Sequence, residues 1–327
     1  MSASQPGPAG DQNRKSKWGG WIRIVVSFSL LALLFSRIDA GQLVSVLKNA
    51  RVEIVAVVLL LEIALRLFVA FRWRVLLKKT HPSFGFPDAV RVTFVANFLG
   101  QFLPGWVGIE AVRIYGMAKR TLDFAGSFTS VFMDRVFGML SILVVACAGL
   151  YFAPEGLHPD IKILVWGILL LAIVSITVLF HPVTRQITEA VLPAGVMRLI
   201  GSKLGKLYTS VDEYKAWPAT LVWSLLLATL FQVFRILVAY TAAIAIGVNP
   251  PILEFAALFP IVMLLVLLPI SIAGLGIREV SFVYFYSTFG VMDEVSALAV
   301  SIVIFLSGLI STLPGAYFYG RKRQPAP

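Results

Sequence analysis

Long apolar runs alternate with short polar connections along this chain. Trp21 to Phe35, Val52 to Leu77, Ser127 to Phe152, Ile161 to Phe180, Leu221 to Gly247 and Ala297 to Phe318 are mostly aliphatic and aromatic, with few charges. A helix needs about 20 such residues to cross a hydrocarbon core about 30 Å thick, so each run predicts a membrane span. Two more apolar stretches are interrupted. Val90 to Gly116 is broken at Pro104, Gly105 and Gly108, and Phe255 to Phe289 at Pro269, Gly274 and Gly276. Proline and clustered glycines end helices, and each half is then too short to cross alone. The first stretch has basic flanks (Arg91, then Lys119 and Arg120) and the second has acidic ones (Glu254 and Asp293). Each stretch should therefore begin and end on one side, as a re-entrant hairpin. Irregular backbone is tolerated at that depth where it is buried in protein or lines a cavity. The expected fold is an all-α integral membrane protein with six spanning helices and two re-entrant helical hairpins, one from each face.

Lysine and arginine mark the cytoplasmic side of short loops. Basic residues crowd positions 14–17, 72–91, 185–215 and 321–323, whereas 155–160, 249–254 and 293–294 are acidic or nearly neutral. Both termini are thus expected in the cytoplasm, and the protein in the inner (cytoplasmic) membrane. Residues 1–20, rich in Ser, Gly, Pro and Gln, read as a disordered cytoplasmic tail. Residues 21–320 read as the membrane domain and 321–327 as a basic cytoplasmic tail. The basic lead before the first run resembles a signal peptide, but the poor cleavage context at Ile38-Asp39-Ala40 favours an uncleaved anchor.

Composition agrees with this reading. The chain is 58% hydrophobic and 14% charged, with a mean hydropathy of +0.87; soluble domains have about 45–50% apolar and about 25% charged residues. Its net charge of +11 is spread along the flanks of apolar runs and not gathered on one face, which argues against a nucleic-acid partner. Cys147 is the single cysteine, so neither an intrachain disulfide nor a cysteine-rich metal site is expected. His81, His158 and His181 each precede a proline, lack metal-ligand spacing and read as surface loop residues. Gly201 to Leu207 falls one residue short of a P-loop and lacks Ser/Thr after the lysine, so no nucleotide cofactor is expected.

The two halves, about 52–152 and 218–319, resemble each other in order. Leu67-Phe68-x-x-Phe71-Arg72 recurs as Leu230-Phe231-x-x-Phe234-Arg235. Leu103-Pro104 with Arg113 nine residues after the proline recurs as Leu268-Pro269 with Arg278 nine after. Given the charge-derived topology, the relation is an inverted repeat. In transporters so built, paired broken helices point to the substrate site.

Charges inside spans are expensive, about 2.5–3.5 kcal/mol each at the centre, and must face a bundle interior or a wet cavity. Arg113 and Arg278 follow the two breaks, and Arg235 sits mid-span with no acid on its own helix; these three are the candidates to hold an anionic phosphate, bidentately. Glu110, Asp134 and Glu279 could hold a cationic part of a headgroup, orient the arginines or carry a proton. Asp134 and Arg135, as sequence neighbours, point to different partners. Glu62 and Arg66, spaced i,i+4, are expected to neutralise each other, and Arg72 to snorkel to the cytoplasmic surface. The amphipathic segment Ile187 to Tyr214 is expected to lie on the anionic leaflet or to bind a partner protein.

Arg72-Trp73-Arg74, Phe102-Leu103-Pro104-Gly105 with Glu110 and Arg113, Asp134-Arg135 with Gly138, and Gly274-Leu275-Gly276-Ile277-Arg278-Glu279 together resemble the flippase-like family, the lysylphosphatidylglycerol synthase transmembrane region. The likeness runs from about Trp21 to Tyr319; Gly108-Ile109-Glu110 departs from the family's Gly-Gly-acid pattern. The resemblance implies a bacterial or archaeal inner membrane and movement of lipids or lipid-linked groups between leaflets, without the soluble aminoacyl transferase domain. Membrane lipids are the expected partners and no enzymatic activity is expected. An accessory subunit that docks a lipid-synthesis enzyme is the alternative. A third possibility is a lipid-modifying enzyme using Asp134 and Glu110.

Overall fold

A computed structural model of the protein describes residues 25–103, 106–151, 216–266 and 274–321, with isolated positions 163, 166, 167, 170, 174 and 212. The N-terminal tail, Pro104, Gly105, Pro269, most of the predicted span Ile161 to Phe180, nearly all of Ile187 to Tyr214, His158, His181 and residues 322–327 lie outside the described residues. Every regular element among the described residues is helical: α1 (Val25–Phe35), α2 (Ala40–Lys48), α3 (Val52–Leu77), α4 (Phe86–Gly100), α5 (Trp106–Thr121), α6 (Phe124–Tyr151), α7 (Pro218–Ala245), α8 (Ile252–Val266), α9 (Ile277–Thr288), α10 (Glu294–Ile310) and α11 (Pro314–Gly320).

Among the described residues, four helices are long and apolar enough to cross a membrane: α3, α6, α7 and the 27-residue run of α10 with α11. The first predicted span, Trp21 to Phe35, is described from Val25 as α1, and the chain bends just beyond it. α1 turns by 90° into α2, because Asp39 breaks the apolar pattern and its Oδ1 accepts from the Gly41 and Gln42 N–H groups, capping a new helix. The last run turns at Ser311 to Leu313 ahead of Pro314 without changing its overall course as one apolar segment.

α3 and α7 form the axis and run antiparallel. The Arg51 N–H donates to the Ala245 carbonyl at 2.8 Å, and further along the Phe68 and Phe234 rings meet edge-on at 5.6 Å. The two Leu-Phe-x-x-Phe-Arg segments therefore cross each other directly, with Arg72 over the Phe231 ring.

Each interrupted stretch is a helix pair. In α4/α5, Gly100 lies against Ile109 and Gly116 against Val92, so the helices fold back antiparallel, and a Cβ at Gly100 would collide with Ile109. Bonds from Gln101, Phe102 and Leu103 N–H three residues back tighten the end of α4 before the break. An ion pair between Arg120 and Asp88 closes the open ends of the pair. In α8/α9, Gly274 lies on Val266, Phe259 meets Phe282, and the Tyr286 hydroxyl donates to the Phe255 carbonyl at 2.9 Å, giving a second antiparallel pair. Gly274 (φ +78°) and Gly276 (φ +82°) hold a left-handed backbone that other residues rarely adopt.

The open ends of α4/α5 lie beside the end of α3, where His81 Nε2 meets Asp123 Oδ2 at 3.1 Å. His81, expected on the surface, is mostly buried there. Burial pushes the Asp123 carboxyl up, but the Gly126 N–H and His81 outweigh it and hold it below the usual carboxylate value. The open ends of α8/α9 lie at the opposite end of the α3/α7 pair, where α7 finishes and Tyr240 Oη donates to the Pro250 carbonyl. The main apolar core gathers Val58, Ala239, Phe255, Phe282, Tyr286 and Leu298 around α8/α9; a smaller one surrounds Trp73 and Met117 at α4/α5.

Candidate functional site

A cavity of about 360 Å³ lies between these two helix pairs and the long helices. Its wall carries six arginines (Arg66, Arg72, Arg113, Arg135, Arg235 and Arg278) and three carboxylates (Glu62, Glu110 and Asp134). Both arginines that follow the breaks thus reach one space. Glu279 sits behind Arg278, so the cluster as a whole keeps a net charge of +2.

Asp134, on α6, is 3% exposed and its two oxygens are taken by two helices. Arg72 Nε of α3 donates to Oδ1 and Arg113 Nη1 of α5 to Oδ2, both at 2.9 Å. The Arg113 guanidinium also lies 4.3 Å from the centre of the Trp73 ring. Arg72 does not snorkel as expected: it is 6% exposed and bound to Asp134, because a buried carboxylate on the neighbouring α6 holds its charge inside the bundle. One carboxylate cannot satisfy two guanidinium groups. Arg72 Nη1 and Arg113 Nε and Nη2 are buried with no hydrogen-bond partner.

Around the second break the pattern differs. Glu279 Oε2 accepts from the Gly276 N–H at 2.7 Å, capping α9, while Oε1 accepts from Arg278. Arg278 Nε also reaches Ser301 Oγ of α10 at 3.2 Å, and its guanidinium lies over Phe305. Gly108, Gly274 and Gly276 shape the breaks without lining the cavity: Gly108 lies against Leu103, and Gly276 lies under Ser27 and Leu30 of α1. Glu110 and Arg135 pair at 3.3 Å, each about a quarter to a third exposed.

Arg235 makes no ion pair with the described residues. Its Nη2 lies 2.8 Å from Met263 Sδ, with the Phe231 and Phe259 rings nearby. Arg66 forms no direct ion pair with Glu62, although its charge acts on that carboxylate from one turn away. The turn after α10 directs the Thr312 N–H to Leu309, so the Gly308 carbonyl accepts from Ser311 Oγ and from Arg66. Arg66 further bonds Ser311 Oγ at 2.7 Å and Asn97 Oδ1 at 2.9 Å. Glu62 is left on the cavity wall with no hydrogen bond or ion pair among the described residues.

Thr93, Asn97, Gln101 and Gln232 also line the cavity and escaped the sequence reading. Gln232 donates to Ser141 Oγ at 3.1 Å, linking α7 to α6. A polar amide inside an apolar helix is the signal that would have found Asn97 and Gln232.

Helices of spanning length around a charged internal cavity define a multi-pass integral membrane protein. The chain belongs to the lysylphosphatidylglycerol synthase transmembrane-region family, whose model matches residues 20–315. It is similar to a UPF0104 membrane protein of Methanothermobacter thermautotrophicus, 22% identical over 91% of this chain and 94% of the relative. A second such protein of that organism is 23% identical over 86% and 89%. A UPF0104 membrane protein of Methanocaldococcus jannaschii is 21% identical over 90% and 92%.

Proposed function

We propose that this protein moves a phospholipid or a lipid-linked polar headgroup between the leaflets of the inner membrane, without making or breaking covalent bonds. The observation that carries the reading is the surplus of arginine in the cavity: Arg235 forms no ion pair among the described residues, and three guanidinium nitrogens of Arg72 and Arg113 are buried without an acceptor. Buried donors of this kind are costly when unfilled, and a phosphate supplies several acceptors at once. The helices of α4/α5 and α8/α9 have 12 to 16 residues, about 18–24 Å at 1.5 Å per residue, short of a hydrocarbon core. We read both pairs as re-entrant hairpins in an inverted repeat, completed by six spans with cytoplasmic termini. Arg113, Arg235 and Arg278 would hold the phosphate, with Glu279 keeping Arg278 in place.

The test is movement of a reporter-labelled anionic phospholipid by purified protein in vesicles with no partner. Wild type should move it. Arg278→Ala should slow it roughly 10- to 100-fold, the worth of a lost charge-assisted contact. Arg278→Lys should restore it in part, because lysine lacks the planar fork. Immobility of every lipid tried with the wild type would favour the accessory-subunit role instead.

A further inference from the structure

Four carboxylates belong to this cluster, and three are held. Asp134 is bound by Arg72 and Arg113, Glu110 by Arg135, and Glu279 by Arg278 and the Gly276 N–H. A carboxylate engaged by an arginine is committed to that partner. Glu62 differs. It lines the same cavity from the middle of α3 and forms no hydrogen bond or ion pair among the described residues. Gly308 of α10 faces it without a side chain: a Cβ built there would come into van der Waals contact, 4.0 Å, with both Glu62 Oε1 and Arg66 Nη2.

The groups facing Glu62 are mostly cationic. Arg66 on its own helix, Arg235 on α7 and Arg278 on α9 supply the positive field around it. Arg113 and Glu110 of α5 and Asp134 and Arg135 of α6 share the wall, the two acids being paired. α4 presents neutral Asn97, and α10 presents Gly308 with Ser311 beyond it. Arg235 and Arg278 act on Glu62 and belong to the phosphate site, so they are the groups that a bound phosphate and Glu62 would share.

We propose that Glu62 is a proton-binding site coupled to the headgroup: it takes up a proton from the aqueous phase as an anionic phosphate seats on Arg235 and Arg278, and releases it when the phosphate leaves. The inference rests on the transport reading above for its place in a cycle, but the linkage itself is a property of binding. A second negative charge entering a poorly solvated cavity disfavours ionised Glu62 and raises its proton affinity. The sign follows. If binding takes up a proton, affinity rises as pH falls, and the proton count equals the slope of that dependence. The proton then moves with the lipid, so a pH gradient can drive the lipid and set its direction.

The experiment is calorimetric titration of the purified protein in detergent with short-chain phosphatidylglycerol, repeated in buffers of different ionisation enthalpy. That phosphodiester does not itself titrate near neutrality, so protons taken up come from protein groups. The wild type should take up close to one proton per lipid over part of the neutral to mildly acidic range. Glu62→Gln, permanently uncharged there, should take up none and should bind at least as tightly as wild type at neutral pH, with no pH dependence. Retained binding also shows that the variant is folded. Binding without proton uptake, or the same uptake by Glu62→Gln, overturns the proposal and leaves the headgroup site standing. Uptake that disappears in the variant, from a protein that moves no lipid in vesicles, keeps the proton site and removes the transport reading. A wild type that binds no such lipid overturns both.

Discussion

Asp134 and Arg235 illustrate two opposite ways to bury charge, and they predict opposite phenotypes. Asp134, on α6, compensates two arginines at 2.9 Å each, one from α3 and one from α5. Asp134→Asn would leave both cations buried without a counter-charge, a loss on the order of 3–5 kcal/mol, so the variant should be scarce in membranes and melt early in detergent. Arg235 forms no ion pair with the described residues, and Arg235→Gln breaks none. That protein should stay folded, with its melting temperature within a few degrees of wild type, and lose most lipid movement. Thermal unfolding followed by size-exclusion fluorescence separates the two outcomes; a stable, active Arg235→Gln protein would take this residue out of the site. At this scale the sequence exposes what is expensive. Arg113, Arg278 and Asp134 stand out because a charge in an apolar run needs a reason. Their pairing was hidden, since Arg72, Arg113 and Asp134 meet across three helices, and neutral Asn97 and Gln232 raise too small a penalty to be noticed.

Between elements, packing is set where backbones come close. A Cβ on Gly315 would fall on the Phe94 carbonyl, and one on Gly149 would approach the Ala257 backbone at 2.8 Å. Neither neighbour can rotate away as a flexible side chain could. Gly315→Ala should push α11 from α4, and Gly149→Ala should push α6 from α8, each at a cost of about 1–3 kcal/mol. Gly320→Ala, with nothing within 4 Å, is the control and should melt like wild type. The measurement is the melting temperature of the three purified variants. The helix breaks were legible because proline and glycine act locally, and the long apolar runs α3, α6 and α7 because length alone qualifies them. The bend between α1 and α2 was not, although Asp39 stands at it. A capping aspartate and a surface aspartate look alike until the N–H groups of Gly41 and Gln42 are seen turning toward it.

For the whole molecule, the arrangement to explain is that α4/α5 and α8/α9 open at opposite ends of the α3/α7 pair. The chain reaches one end through Leu77 and returns there at Asp123, with His81 and Asp123 joined and Arg120 tied to Asp88. It reaches the other end at Ala245, beside Arg51, and returns there after α9. The recurring Leu-Phe-x-x-Phe-Arg and Pro-to-Arg spacings hinted at this inversion, but a weak repeat cannot say which copies touch; the crossing of Phe68 and Phe234 does. If α3 and α7 cross the bilayer, each hairpin must return to the face from which it entered. Single cysteines in a Cys147→Ala background test this. Ser83→Cys and Lys119→Cys, both exposed and flanking α4/α5, should react with an impermeant maleimide from one side only. Asn249→Cys and Glu294→Cys, exposed on either side of α8/α9, should react only from the other. In the proposed topology the basic residues Arg74, Lys78 and Lys79 near the first pair assign its side to the cytoplasm. Labelling of Ser83→Cys and Lys119→Cys from different sides would turn α4/α5 into a crossing, and the two arginines after the breaks would then no longer approach one cavity from opposite leaflets.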